Sequence, residues 1–268
     1  MAQNRATNTS DAAFSQYESR APSSQNAVDL LDGWNSSFPD YYNVVAGKSP
    51  LHYDERIFWG INQAGGIDGK KLLELGPLEG CHTYICEQHN VGSITAIEAN
   101  KDAYLRCLIS KEIFGLKRAS FLLGDFVKYL EETEEHYDIV IASGVLYHMK
   151  DPVYLLEQIA AKTNAVFLWT HYFDDEAMPR GDSRRVPFSE SSTVVDRHGL
   201  SLTLHERHYY QADQNDDFCG GAENRHYWME KDDIVQLMSQ FGFTDVRMTL
   251  DEKNHINGPC CMFYFAKV

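Results

Sequence analysis

Hydrophobic positions along this chain follow two alternating rhythms. "KLLELG", residues 71–76, is a nearly continuous apolar run of strand length. A helix-like segment follows from Cys81 to His89, with Asn90 as its stop. The unit then repeats. "SITAIEAN" reads as a strand, and Lys101 to Phe114 as a helix with Leu105, Leu108, Ile109 and Ile113 on one face and Gly115 ending it. "ASFLLGD" is a strand, Phe126 to Glu132 a short helix, and "YDIVIASG" a strand. Pro152 to Lys162 is a helix lined by Val153, Leu156, Ile159 and Ala160, and "AVFLWTHYF" is a fifth strand. Near-continuous apolar strands indicate a parallel sheet covered on both faces. Repeated β-α units of this length predict an α/β, doubly wound, Rossmann-like domain.

The alternation stops at about Asp174. Residues 174–227 are rich in turn formers, charges and aromatics, an insertion of the kind that usually carries function. Inside it "STVVDRHGLSLTLHERHYY" has the pattern of a hairpin turning at His198-Gly199. A helix from Lys231 to Phe241 follows, carrying Ile234, Leu237, Met238 and Phe241. "FTDVRMTL" and "CCMFYFAKV" then close the chain as an edge hairpin. The expected sheet has seven strands, the last antiparallel. Before it, residues 27–70 read as an N-terminal helical cap broken by Pro39 and Pro50, and residues 1–26 as a polar, disordered tail.

Composition narrows the class. A chain of 268 residues with 43% apolar and 24% charged residues is an ordinary globular one. Its formal charge of −15 works against a nucleic-acid partner. There is no apolar leader and no run of bilayer-spanning length. Six cysteines without a C-x-x-C pair read as reduced thiols of a cytoplasmic protein. A zinc site of Cys219 with His208 or His226 is the alternative, and no ligand spacing supports it.

In an open α/β sheet, ligands bind beyond the carboxyl ends of the strands. The first strand here ends in "ELGPLEG". Gly76 allows a tight turn and Gly80 opens a helix whose free N–H groups favour an anion. Glu74 and Glu79 flank the turn, a poor setting for pyrophosphate. A ligand with one cationic amino group and one carboxylate suits it better, as at the amino-acid end of S-adenosylmethionine. Glu98 ends the second strand roughly twenty residues on, the place of an acidic residue that accepts from ribose hydroxyls. Asp125 ends the third strand, either as a partner of an adenine amino group with Phe126 against the ring, or as a helix N-cap. After the fourth strand, Ser143 and Gly144 form a small-residue floor, and Tyr147 and His148 follow. His148 is either a general base, a substrate-orienting group or a structural imidazole.

These motifs, "LELGPLEG", "IEAN", "GDF" and "YDIVIASGVLYHMKDP", resemble in order and spacing those of class I S-adenosylmethionine-dependent methyltransferases. The resemblance implies that Glu74, Gly76, Pro77 and Gly80 surround the methionine end of the cofactor, with Pro77-Leu78 standing where a second close glycine is usual. It places the ribose at Glu98 and Ala99, the adenine at Asp125 and Phe126, and the methyl group beside Ser143 and Gly144. S-adenosylhomocysteine is then the product. "GVLYH" also occurs in the tRNA wobble-uridine carboxymethyltransferase family, so a tRNA-modifying enzyme is a second reading and a non-catalytic cofactor-binding module a third. No N-P-P-Y segment, no Pro-Cys nucleophile and no magnesium-anchoring Asp follows the fourth strand. The expectation is therefore metal-free O- or N-methylation of a small-molecule acceptor. Tyr147, His171, Tyr172, Arg185, His205 and His208 are the candidates to contact it.

Overall fold

The computed structural model describes residues 16–210 and 220–268. Four β-α units and a fifth strand build the frame, in the order anticipated: β1 (Lys71–Leu75), α3 (Cys81–Gln88), β2 (Ser93–Glu98), α4 (Lys101–Phe114), β3 (Ala119–Leu123), α5 (Phe126–Glu132), β4 (Ile139–Ser143), α6 (Pro152–Lys162) and β5 (Ala165–His171). Among the described residues two short helices precede them, α1 (Ser24–Val28) and α2 (Glu55–Gln63). After the insertion come α7 (Lys231–Gln240), β9 (Asp245–Glu252) and β10 (Cys260–Ala266). The main sheet has seven strands in the order β3-β2-β1-β4-β5-β10-β9, with β10 antiparallel to both its neighbours. The order reverses between β1 and β4, so a crevice opens at their carboxyl ends.

Strand alternation divides the core in two. Leu73, Leu75, Ile97, Val140, Ala142, Val166 and Leu168 face α5, α6 and α7. Leu72, Ile94, Ala96, Ile139, Ile141 and Phe167 face α2, α3 and α4. Burial on both faces explains the near-continuous apolar runs of β1, β4 and β5.

Helix α4 departs from the sequence reading. Leu105 and Leu108 are exposed, and the buried face is Ala103, Arg106, Cys107, Ser110 and Phe114. The reason lies in its neighbours. The segment before α2 lays Phe38 and Tyr42 against Phe114, and Arg106 turns inward to Glu79 and to the Asp32 carbonyl. The N-terminal part is less helical than expected: between α1 and α2 it is an extended strap with two short 3-10 turns. Of the expected tail, residues 1–15 lie outside the described residues.

The insertion folds as a separate antiparallel sheet of β6 (Phe188–Arg197), β7 (Leu200–His208) and β8 (Arg225–Met229). β6 and β7 turn at His198-Gly199, both with positive φ (55° and 77°), the two-residue hairpin geometry expected there. β8 was not foreseen. The Tyr227 amide at its centre bonds the Met149 carbonyl at 2.9 Å, which docks the small sheet over the end of β4.

Candidate active site

At the end of β1 the chain turns through Gly76, Leu78 and Gly80, with φ of 65°, 57° and 79°. A β-carbon on Gly76 would lie 2.8 Å from Val145 Cγ1, so only glycine fits. Leu78 has no such freedom. Its amide donates to Glu98 Oε2 at 3.0 Å, while the Asn100 amide donates to Glu98 Oε1 at 2.8 Å. Glu98 thus ties the β1 turn to the end of β2. Burial raises its pKa and the backbone amides oppose that shift.

The two carboxylates of the turn have separate roles. Glu79 faces away from the crevice. It accepts from the Asn35 and Ser36 amides at 2.8 and 2.6 Å and lies 3.3 Å from Arg106 Nε, anchoring the N-terminal strap. Glu74 is fully buried. One oxygen accepts from the Thr83 hydroxyl, and Oε1 has no hydrogen-bond partner. Burial raises its pKa. His82 Nδ1 stands 3.9 Å from that oxygen, and His82 Nε2 meets Asp54 at 2.9 Å. Asp54 caps α2 and pairs with Arg56 at 2.5 Å, and Arg56 lies 4.5 Å over the Trp169 ring. Burial alone would raise the Asp54 pKa, but His82 and Arg56 outweigh it and hold the carboxyl well below its usual range. Neither Asp54, Arg56 nor His82 was singled out from the sequence, because the α2 cap meets β1 only in three dimensions.

Asp125 caps α5 through the Val127 amide at 2.8 Å and is otherwise exposed. Phe126 is buried behind it, and Ala99 is exposed beyond β2. Gly144, φ 83°, follows Ser143, with its amide on the Trp169 carbonyl at 2.9 Å. The Tyr147 hydroxyl reaches back to Gly144, within 3.6 Å of where a β-carbon would sit.

Beyond Gly144 the insertion closes an aromatic cluster. Tyr147 contacts His148, Trp169, His171 and Trp228. His148 Nδ1 meets the Tyr209 hydroxyl at 2.6 Å, and His171 stacks on Trp228 with rings 5.0 Å apart. His171 Nδ1–H donates to the Gly258 carbonyl at 2.9 Å, leaving Nε2 as an acceptor. Burial pulls the pKa of His148 down to about 3 and those of His171 and His226 to about 4, so all three imidazoles are neutral at pH 7. Arg207, which the sequence reading passed over, joins this cluster.

The other residues expected to contact the acceptor have partners outside this cluster. Tyr172 is a core residue whose hydroxyl donates to Asp251. Arg185 pairs with Asp175 at 2.7 Å and the Met178 carbonyl at 2.9 Å, bracing the insertion. His205 stacks on Phe173 at 3.5 Å and meets Glu230 at 3.1 Å. His208 lies on the other face of β7, with Glu206 at 3.1 Å.

Cys219, half of the zinc alternative, lies outside the described residues. Among the described residues one trio has metal-ligating composition: His171, His255 and Cys260, with donor atoms within 4.8 Å of one another. No helix among them is long and apolar enough to cross a membrane.

Comparison with known proteins places this geometry. A methyltransferase-domain family model matches residues 51–248, well over half of the chain. The chain belongs to that family, and its fold and turn motifs make it a class I S-adenosylmethionine-dependent methyltransferase. No curated protein sequence matches it significantly. Among solved structures, the N-terminal domain of EvdMO1 with S-adenosylhomocysteine and D-fucose is similar with a TM-score of 0.68 at 19% identity, over 91% of this chain and 95% of that one. Magnesium protoporphyrin IX methyltransferase from Synechocystis PCC 6803 gives a TM-score of 0.51 at 13% identity, over 80% and 81% of the two chains. The 1,6-didemethyltoxoflavin N1-methyltransferase of Burkholderia thailandensis gives 0.51 at 12% identity, over 82% and 79%.

Proposed function

We propose that this enzyme methylates an oxygen or nitrogen of a small molecule, without a metal, under the three-stranded insertion. The observation that carries the reading is cover: β8 is bonded to the turn after β4, so the insertion and its aromatic side chains lie over the end of that strand. The small molecules named for the similar structures agree with it, D-fucose present with one and 1,6-didemethyltoxoflavin bound in another. β4 ends in Ser143-Gly144, without a carboxylate to seat magnesium.

The residues at β1 fit the donor. The unpartnered Glu74 Oε1 would take its ammonium, and Gly76 leaves room for the chain beside it. Glu98 would accept from the ribose hydroxyls with its remaining lone pairs, Ala99 lies alongside, and Asp125 with Phe126 would flank the adenine. Pro77 stiffens the turn between Gly76 and Gly80. Bound S-adenosylmethionine supplies an electrophilic methyl group on sulfur, so the protein's task is to position the acceptor in line. His148 serves this task as a neutral group. An imidazole with a pKa of about 3 is a weak proton acceptor at pH 7, and its bond to Tyr209 fixes the ring.

The test is transfer of labelled methyl groups into a size-fractionated cell extract. Label in the low-mass fraction is expected. Label confined to RNA, with binding of tRNA that falls steeply with salt, would instead establish the tRNA reading.

A further inference from the structure

Arg207 stands apart from the other shielded arginines of the chain. Arg56, Arg106, Arg184, Arg185 and Arg197 each face a carboxylate. Arg207 faces none among the described residues. Its Nη1 donates to His226 Nε2 at 3.2 Å, an acceptor because His226 Nδ1–H donates to the Asn224 carbonyl at 3.0 Å. Its Nε is buried without any hydrogen-bond partner. The guanidinium is centred 5.1 Å from the Trp228 ring and 5.7 Å from the Phe188 ring. In a chain with 39 acidic residues and 24 Lys and Arg, a shielded cation that faces no carboxylate among the described residues is a specific arrangement. A part-buried guanidinium without a facing carboxylate costs the empty protein stability, and a ligand anion lowers that cost.

The position on β7 sets where such a ligand would lie. Arg207 shares a strand face with His205 and pairs across to His226 on β8, whose ring stacks on Tyr209 just beyond β7. Tyr209 holds His148, and Trp228 contacts Tyr147, whose hydroxyl reaches Gly144. The guanidinium therefore stands on the insertion side of the aromatic cluster, opposite the end of β4. We propose that Arg207 receives an oxyanion, a carboxylate or a phosphate group, carried by the acceptor, with the Trp228 and Phe188 rings as its walls. This rests on the small-molecule reading and adds the chemical class of the acceptor. The neighbouring imidazoles do not compete as cations: burial and the positive field of Arg207 keep His148, His171 and His226 neutral. A fork of N–H donors is what a carboxylate or phosphate binds best.

Two measurements test it. In the first, thermal unfolding of the S-adenosylhomocysteine complex is followed with phosphate or acetate, against sodium chloride at equal ionic strength. The wild type should show a saturable rise in Tm with at least one of the two anions. Arg207→Met should lose that rise, keep S-adenosylhomocysteine affinity within about twofold, and unfold at a temperature no lower than the wild type. An equal anion response in both proteins, or none in the wild type, overturns the proposal; so does a lower Tm of the variant with an undiminished anion response. In the second, the low-mass extract is passed over an anion-exchange resin at pH 7 before the labelled donor is added. Removal of methyl acceptance is expected. Acceptance that survives the resin overturns the oxyanion while leaving the small-molecule reading intact, and label found only in macromolecules overturns that reading itself.

Discussion

Glu79 shows how a residue at a cofactor turn can serve the fold instead. Its position after Gly76-Pro77 gave it a place beside the donor, yet both its oxygens hold the backbone of Asn35 and Ser36. It is also the carboxylate beside buried Arg106. Glu79→Ala leaves that guanidinium without a counter-ion and two amides without acceptors. The expected loss is about 3–5 kcal/mol, the range for breaking a buried pair by removing one partner. Urea unfolding measures it, and a loss below about 1 kcal/mol contradicts the anchoring role. Glu74, two residues before the glycine turn, is the opposite case: a buried carboxylate whose free oxygen the protein itself leaves unmatched.

At the scale of elements, legibility followed burial. β1, β4 and β5 were readable because each is buried on both faces and so carries a continuous apolar run; β3, an edge strand with Leu122 and Leu123 exposed, was readable by its apolar composition alone. The inward face of α4 was not, because the apolar stripe Leu105-Leu108 points outward and the contacts inside are polar or aromatic and come from the distant strap. β8 was missed because "RHYWM" mixes a charged, a polar and aromatic residues with no clean alternation. The β1 turn was legible because its residues follow one another at a strand end. The insertion was read by residue type, which does not show which side chains share a face. His205 and His208 were chosen as imidazoles, and the two-residue period of a strand puts His205 and Arg207 on one face and His208 on the other.

The docking of the insertion also has a pH signature. His148, His171 and His226 stay neutral in the folded protein down to about pH 4, whereas unfolded imidazoles take up protons below about 6.5. Between those limits the unfolded chain binds more protons, so these groups withdraw stability as pH falls, by at most about 1.4 kcal/mol per pH unit each. Glu74 and Glu98, raised by burial, act in the other direction. The imidazole share is therefore read as a difference. His148→Phe should flatten the loss of Tm between pH 7 and pH 5 relative to the wild type, and an unchanged slope contradicts a neutral, buried His148.

For the whole molecule, the parts act in series. The strap and α2 press Glu79, His82 and Arg56 against the ends of β1 and β5, the sheet order opens the crevice, and the insertion roofs the end of β4. A net charge of −15 suits the proposed small-molecule acceptor better than a phosphate backbone. The central claim is that the β1 turn and Glu98 hold the donor. Calorimetric titration with S-adenosylhomocysteine tests it most directly, on the wild type, Glu98→Ala and Gly76→Val. The account predicts one site in the wild type, an affinity weaker by roughly 1–2 kcal/mol in Glu98→Ala, as for a lost charge-assisted hydrogen bond, and no measurable binding in Gly76→Val, whose side chain would strike Val145. Absence of binding to the wild type at high micromolar ligand, or equal affinity in all three proteins, would contradict it.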